Sequence, residues 1–231
     1  MITIRELARA LGGEAFGDGA LVVAGAAEPA RAAPDEIALA MQPAFAGDIA
    51  RGRARAALLW PGADWQGLGL EAAIVAPRAR YVLAGVTRVF DRPPEIAPGI
   101  HPTAVVDPTA EIGGGAAIGP FVVIGARVRL GEGARVLSHA SIAEDAVIGR
   151  DALILSGVRI GARVRIGDRF IAQPGAVIGA DGFSFVTPTP GHVEEARATG
   201  AVTAGEQDAY VRINSLGSVV LGDDVEVGAN S

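Results

Sequence analysis

From Ile100 onward the large aliphatic residues return at every sixth position. They run Ile100, Val106, Ile112, Ile118, Ile124, Leu130, Val136, Ile142, Ile148, Ile154, Ile160 and Ile166, then Ala172 and Ile178. Thirteen of these fourteen are Ile, Val or Leu. The fifth position of each hexad obeys a second rule: twelve of fourteen are Ala or Val, the exceptions being Phe170 and Gly182. An ordinary β-sandwich does not hold such a period through fourteen hexads. The pattern predicts a solenoid in which each hexad is one short strand plus one corner. Three hexads close a triangular coil, and coils stack in parallel at about 4.8 Å. The large residue points inward and the small one sits near the corner. Gly fills the second position in eight hexads, Gly113 and Gly161 among them. It is expected there for turn conformations that other residues avoid.

The period breaks after Ile178. Residues 183–214 carry no repeat and include Pro188, Pro190, Gly191, Gly200 and Gly205, which predicts a long inserted loop. Loops of that length in a compact domain are usually functional or disordered. The repeat resumes in a shifted register at Leu221, Val225 and Val227 and stops in mid-hexad at Ser231. That stop sets the expectation of an incomplete last coil in a chain that natively continues.

The first 97 residues have a different texture. Thr3 and Glu6 have capping-box spacing, Leu7 and Leu11 share a helical face, and Gly12-Gly13 supplies a stop. Strands are predicted at 20–25, 56–60 and 72–75, and a helix at 77–90 with Val82, Val86 and Val89 along one stripe. Residues 91–98 contain three prolines and read as a linker. The expected organisation is a small α/β domain at 1–97 and a parallel β-helix at 98–231.

Composition narrows the chemistry. There is no Cys, so disulfides and thiolate chemistry are excluded. The net charge is −6 with no basic run, which argues against nucleic acid. Every cation is Arg. No stretch has the roughly 18 apolar residues of a membrane span, and Met1–Gly12 has no signal-peptide core, so a soluble cytoplasmic protein is expected.

Three segments carry a resemblance: 100–110 (IHPTAVVDPTA), 178–185 (IGADGFSF) and 216–230 (LGSVVLGDDVEVGAN). Together they are similar to the UDP-3-O-acylglucosamine N-acyltransferases of lipid A biosynthesis. The first segment is common to many hexapeptide-repeat enzymes; the other two, separated by the insertion, are specific in combination. The resemblance implies a left-handed helix, a homotrimer, and uracil held by the N-terminal domain. It implies transfer of an (R)-3-hydroxyacyl group from acyl carrier protein to the 2-amino group of UDP-3-O-acylglucosamine, without metal or cofactor.

By the same resemblance, Leu39, Gln42 and Phe45 stand where relatives place the uracil site. Relatives have an aromatic, an Asn and a Tyr there, so all three positions depart from the pattern. Asp181, Phe183 and Phe185 are carried over as lining the sugar and acyl region. Plain core or coil-plug roles are the alternative for Leu39, Phe45, Phe183 and Phe185. Tyr210 is a candidate loop anchor, and Asn230 reads as a corner residue. The base in relatives is a His in a hexad further along, so it is expected beyond Ser231 and no catalytic residue is assigned here. His101, His139 and His192 read as a coil-start, a solvated-face and a loop residue, without metal-ligand spacing. The competing expectations are a non-catalytic trimeric nucleotide-sugar-binding scaffold and a hexapeptide O-acyltransferase acting on a UDP-amino sugar.

Overall fold

The computed structural model describes residues 1–76, 78–202 and 208–231, with backbone alone at 79 and 80. The chain divides into two units, Met1–Pro94 and Glu95–Ser231. The first is a mixed sheet with helices. It starts with β1 (Ile2–Thr3) and α1 (Ile4–Leu11), followed by β2 (Glu14–Gly17), β3 (Val22–Val23), β4 (Gly25–Ala27) and β5 (Glu36–Ala40). A single 3₁₀ turn at Pro43–Phe45 then leads into α2 (Ala46–Ile49), β6 (Ala56–Leu59), β7 (Ala72–Val75) and α3 (Ala79–Phe90). The five-stranded sheet has the order β2-β7-β6-β5-β4, parallel except at β2.

The expected capping box opens α1: Glu6 N–H donates to Thr3 Oγ1 at 3.2 Å, and Thr3 N–H donates back to Glu6 Oε2 at 3.0 Å. Gly12 closes the helix at φ 62°, a left-handed conformation cheap only for Gly. Leu7, Leu11, Val82 and Val86 are buried on one face of the sheet with Ile37, Leu58 and Ile74. Ile49, Ala38, Ala57 and Leu59 are buried in a second core on the opposite face. Val89, expected in the α3 stripe, is 38% exposed, so the buried stripe ends one turn earlier. The predicted strand at 20–25 is two short pieces, β3 and β4. Pro77, the expected helix start, lies outside the described residues. β2 and β5 went unpredicted: β5 is Glu-Ile-Ala-Leu-Ala, a short strand buried on both faces, which alternation does not reveal.

The second unit is a left-handed parallel β-helix. Its two-residue strands recur at six-residue steps and pair in register with strands 18 residues away, as in Arg129↔Val147 and Leu130↔Ile148. Three sheets of five, six and five strands result among the described residues. Both inward slots are buried from Ile118 to Ile178. Each such aliphatic contributes roughly 1.5–3 kcal/mol. Two of the three exceptions to the pattern compensate each other. Phe170 fills the small slot and is completely buried, and Ala172, two residues on, stands in the large slot. The swap conserves volume within one coil corner.

The reason for glycine in the second slot differs from the expected one. The left-handed residue is in the fourth slot, at every corner from Gly115 to Gly175, and seven of those eleven corners are not Gly. His139, Asp145 and Arg163 each sit at φ 61°. This conformation turns the corner N–H back onto the preceding coil: Asp145 donates to Ala126 O at 2.9 Å and Arg163 to Glu144 O at 3.0 Å. Hydrogen bonding of an otherwise unpaired amide offsets the strain. Except at Gly179, which takes φ 77° as expected, the second slot is Gly for space. A Cβ on Gly131 would lie 2.4 Å from the carbonyl carbon of Gly149, and one on Gly149 would lie 2.5 Å from that of Gly167.

The insertion is also more ordered than a plain loop. The regular path ends at Val177–Ile178 and rejoins at Val220–Leu221, which pairs with Arg165–Ile166. Between them lie an antiparallel ribbon, Phe185–Val186 with Val211–Arg212, and α4 (His192–Thr199). Residues 203–207 of the expected loop lie outside the described residues.

Tight coil approach makes a stability prediction. Gly131→Ala is expected to cost about 1–3 kcal/mol, as an overpacked site does. Gly114→Ala, whose Cβ would meet nothing within 4 Å, leaves stability nearly unchanged. Denaturant unfolding of the two variants checks this; equal midpoints overturn the steric account.

Candidate functional site

In the first unit, the candidate residues surround the end of β5. Parallel strands present their carboxyl ends as a natural ligand edge, and Gln42 and Phe45 lie just past that edge. Gln42 caps the 3₁₀ turn with its carbonyl, which accepts from Phe45 N–H at 3.0 Å. Gln42 is exposed, and Phe45 is 39% exposed. Leu39 is different. It pairs with Leu58 across β5 and β6 and packs half-buried against the core beneath α1 and α3. The segment carrying Phe45 continues into α2, whose Ile49 enters the core on the other sheet face. The structure therefore brings Gln42 and Phe45 into one turn and leaves Leu39 in the core of the opposite face.

In the second unit, the candidates gather at the root of the insertion. Asp181 sits where the chain leaves the coil, and both of its carboxylate oxygens are engaged. Oδ1 accepts from Ser215 N–H at 2.8 Å, and Oδ2 lies 2.8 Å from Arg212 Nη2. Ser215 Oγ accepts from Gly182 N–H at 3.0 Å, and Arg212 Nη2 also donates to Gly182 O at 3.2 Å. These bonds clamp residues 181–182 to 212–215. The hydrogen bonds from Ser215, with the Arg212 charge adding to them, hold the Asp181 carboxyl below its ordinary range. Asp181 is thus a clamp that stays ionised.

The ribbon that follows places Phe185 opposite Arg212. The Phe183 and Phe185 rings meet edge to face, with centroids 5.1 Å apart. Phe183 is 95% exposed, so it does not plug a coil. Tyr210 joins the two rings around an open apolar hollow. Arg212 and Ser215 were missed as partners of Asp181. They are 30 residues or more away, across a segment with no periodicity from which to read pairing.

The histidines stand apart from one another. His101 Nδ1 lies 2.9 Å from Thr103 Oγ1. His139 is an exposed corner residue whose ring lies against Phe121, centroids 5.1 Å apart. His192 is the first residue of α4. No group of three or more His, Cys, Asp or Glu side chains suited to a metal occurs among the described residues. No helix among them is long and apolar enough to cross a membrane.

Comparison with known proteins adds relatives. A family model described as the GMPPB C-terminal domain matches residues 100–183, the window of regular coils. The UDP-3-O-acylglucosamine N-acyltransferase of Ruegeria pomeroyi is 62% identical over 99% of this chain and 63% of its own length. That of Paracoccus denitrificans is 65% identical over 100% of this chain and 63% of its own. A solved UDP-N-acetylglucosamine acyltransferase from Arabidopsis is 32% identical over 34% of this chain and 29% of its own, with a TM-score of 0.34, too little overlap to bear on the fold. The chain therefore spans about 63% of the length of the curated relatives it matches. Over that span, insertion and N-terminal unit included, this chain is similar to UDP-3-O-acylglucosamine N-acyltransferases.

Proposed function

We propose that the chain serves an N-acyltransferase that moves an (R)-3-hydroxyacyl group from acyl carrier protein to the 2-amino group of UDP-3-O-acylglucosamine. The observation that carries this reading is 62–65% identity to enzymes of that name through the whole chain. The same identity gives no support to a non-catalytic scaffold or an O-acyltransferase. In this reaction the amine lone pair attacks the thioester carbonyl, and backbone N–H groups stabilise the oxyanion. The C–S bond then breaks, an amide forms, and the departing thiolate of the carrier takes up the proton that leaves nitrogen. A positioned base contributes roughly 10²–10⁴-fold. His101, His139 and His192 are not assigned that role: each has the local setting described above, and none has a carboxylate within ion-pair distance among the described residues. In this reading the protein works in the cytoplasm as a homotrimer, without metal or cofactor. Uracil stacks at the Gln42–Phe45 turn, and the acyl chain lies on the Phe183, Phe185 and Tyr210 hollow.

Asp181 then contributes by holding that hollow's backbone. A carboxylate with both oxygens engaged and its pKa lowered is a poor proton acceptor.

Two outcomes are expected. The first concerns acyl recognition. Phe183→Ala with Phe185→Ala lowers the preference for 3-O-acylated over unacylated UDP-glucosamine at least tenfold in calorimetric titration, while UDP binding is unchanged. Mass spectrometry of reactions with hydroxyacyl carrier protein identifies the acylated atom. An oxygen-linked product sinks the proposal.

The second concerns the clamp. The folded pKa of Asp181 is depressed, so its contribution to order is present above the ordinary aspartate value of 3.8 and is lost as pH falls through the lower folded value. Asp181→Asn is expected to speed hydrogen exchange at the Ser215 amide about tenfold at neutral pH. Exchange at Gly149, bonded to Ile166 O within the coils, stays unchanged. An unaltered Ser215 rate removes the clamp.

A further inference from the structure

Corner residues 18 apart face each other across successive coils, and at several corners they are opposite charges. In the column through 127, 145, 163 and 181 the residues alternate Arg, Asp, Arg, Asp. Arg127 and Asp145 make a two-point pair, Nε to Oδ1 at 2.7 Å and Nη2 to Oδ2 at 2.8 Å. Arg169 and Asp224 pair the same way at another corner, at 2.6 and 2.7 Å. By that rule Arg163 and Asp181 are partners, yet they are not paired. The insertion has drawn Asp181 to Arg212 and Ser215. Among the described residues no carboxylate lies within the 4.0 Å of an ion pair from Arg163. Asp145 feels its charge, but both Asp145 oxygens are held by Arg127.

Arg163 borders a cavity of about 430 Å³ at the insertion's root, which Gly179, Asp181, Ser215, Gly217 and Ser218 also line. Ser218 Oγ donates to Arg163 O at 2.7 Å and ties the returning chain to this corner. Ser215 Oγ accepts from Gly182 N–H, and its own hydroxyl already bonds the Asp181 carboxylate. The wall's one carboxylate, Asp181, is already neutralised by Arg212. The cavity therefore combines an arginine without a carboxylate partner among the described residues and glycines that admit close approach.

We propose that Arg163 binds a phosphate group in this cavity, as a diphosphate or a phosphate ester. A guanidinium presents paired donors that fit phosphate oxygens at two points. The choice of phosphate rests on the function proposed above: the nucleotide-sugar acceptor carries a diphosphate, and the carrier's pantetheine arm carries a phosphate ester.

The first test is NMR titration with inorganic pyrophosphate at low salt, using the whole chain and its Arg163→Gln and Arg165→Gln variants. Arg165 is an exposed arginine on the same coil outside the cavity wall. Arg163→Gln is expected to weaken binding at least tenfold and Arg165→Gln less than twofold, with thermal melts confirming that both variants fold. Absence of binding to the whole chain, or equal losses in the two variants, overturns the proposal. UDP is then compared with uridine, and phosphopantetheine with pantetheine. The pair whose phosphate-dependent gain vanishes in Arg163→Gln names the source, and no such gain in either pair overturns the assignment. Retained Arg163-dependent binding without transfer of a hydroxyacyl group to nitrogen refutes the enzyme reading alone.

Discussion

Everything in the larger unit follows from stacking each coil directly on the last. A two-residue strand has almost no stability alone; it persists because its N–H and C=O groups are paired on both sides, 18 residues away in each direction. That ladder requires a constant spacing near 4.8 Å. Constant spacing in turn dictates which side chains are admitted. Two inward slots carry the whole core. A tight column runs Gly113, Gly131, Gly149 and Gly167, where a Cβ would run into the next coil. At the corners, left-handed residues return their amides to the coil before. These features are one constraint met at different points of the hexad.

The periodic part of this design was open to reading from sequence because the forces behind it are local and repeated. Ile, Val and Leu at one slot and Ala and Val at another report burial directly. The small α/β unit was legible where caps and amphipathic stripes mark it, as at Thr3, Glu6 and Gly12. It was obscure at β5, where Ile37, Ala38 and Ala40 are buried on both faces and leave no alternation. The purpose of the second-slot glycines was not legible. Composition shows that a side chain is missing, and only the neighbouring coil shows whether backbone angle or space required it.

The candidate site was legible in membership and illegible in geometry. Phe183 and Phe185 lie together, and their rings touch. Nothing in the sequence says that Asp181 is spent on Ser215 and Arg212, because that pairing crosses the aperiodic insertion. Leu39 shows the opposite failure. A motif placed it beside Phe45, while the strand's two-residue alternation turned it into the core beneath α1 and α3.

A repeat treats its corners alike, so a distinct site has to come from a departure. The insertion supplies one without disturbing the coils around it. Val220 returns beneath Arg165, 55 positions on where the regular step is 18, and Asp224 still reaches Arg169. The extra length is not a multiple of six, yet the ladder resumes in phase. The slip is therefore absorbed wholly between Asp181 and Ser218. What fixes the insertion is the pair of anchors at its two ends, Asp181 to Ser215 and Ser218 to Arg163, which bring exit and re-entry to one corner. Length and content between those anchors are free to differ at little cost to the helix, since loop closure grows only slowly with length. The anchors themselves are not free. Diverting one carboxylate from the corner ladder is what makes Arg163 unlike every other arginine at a corner of this helix.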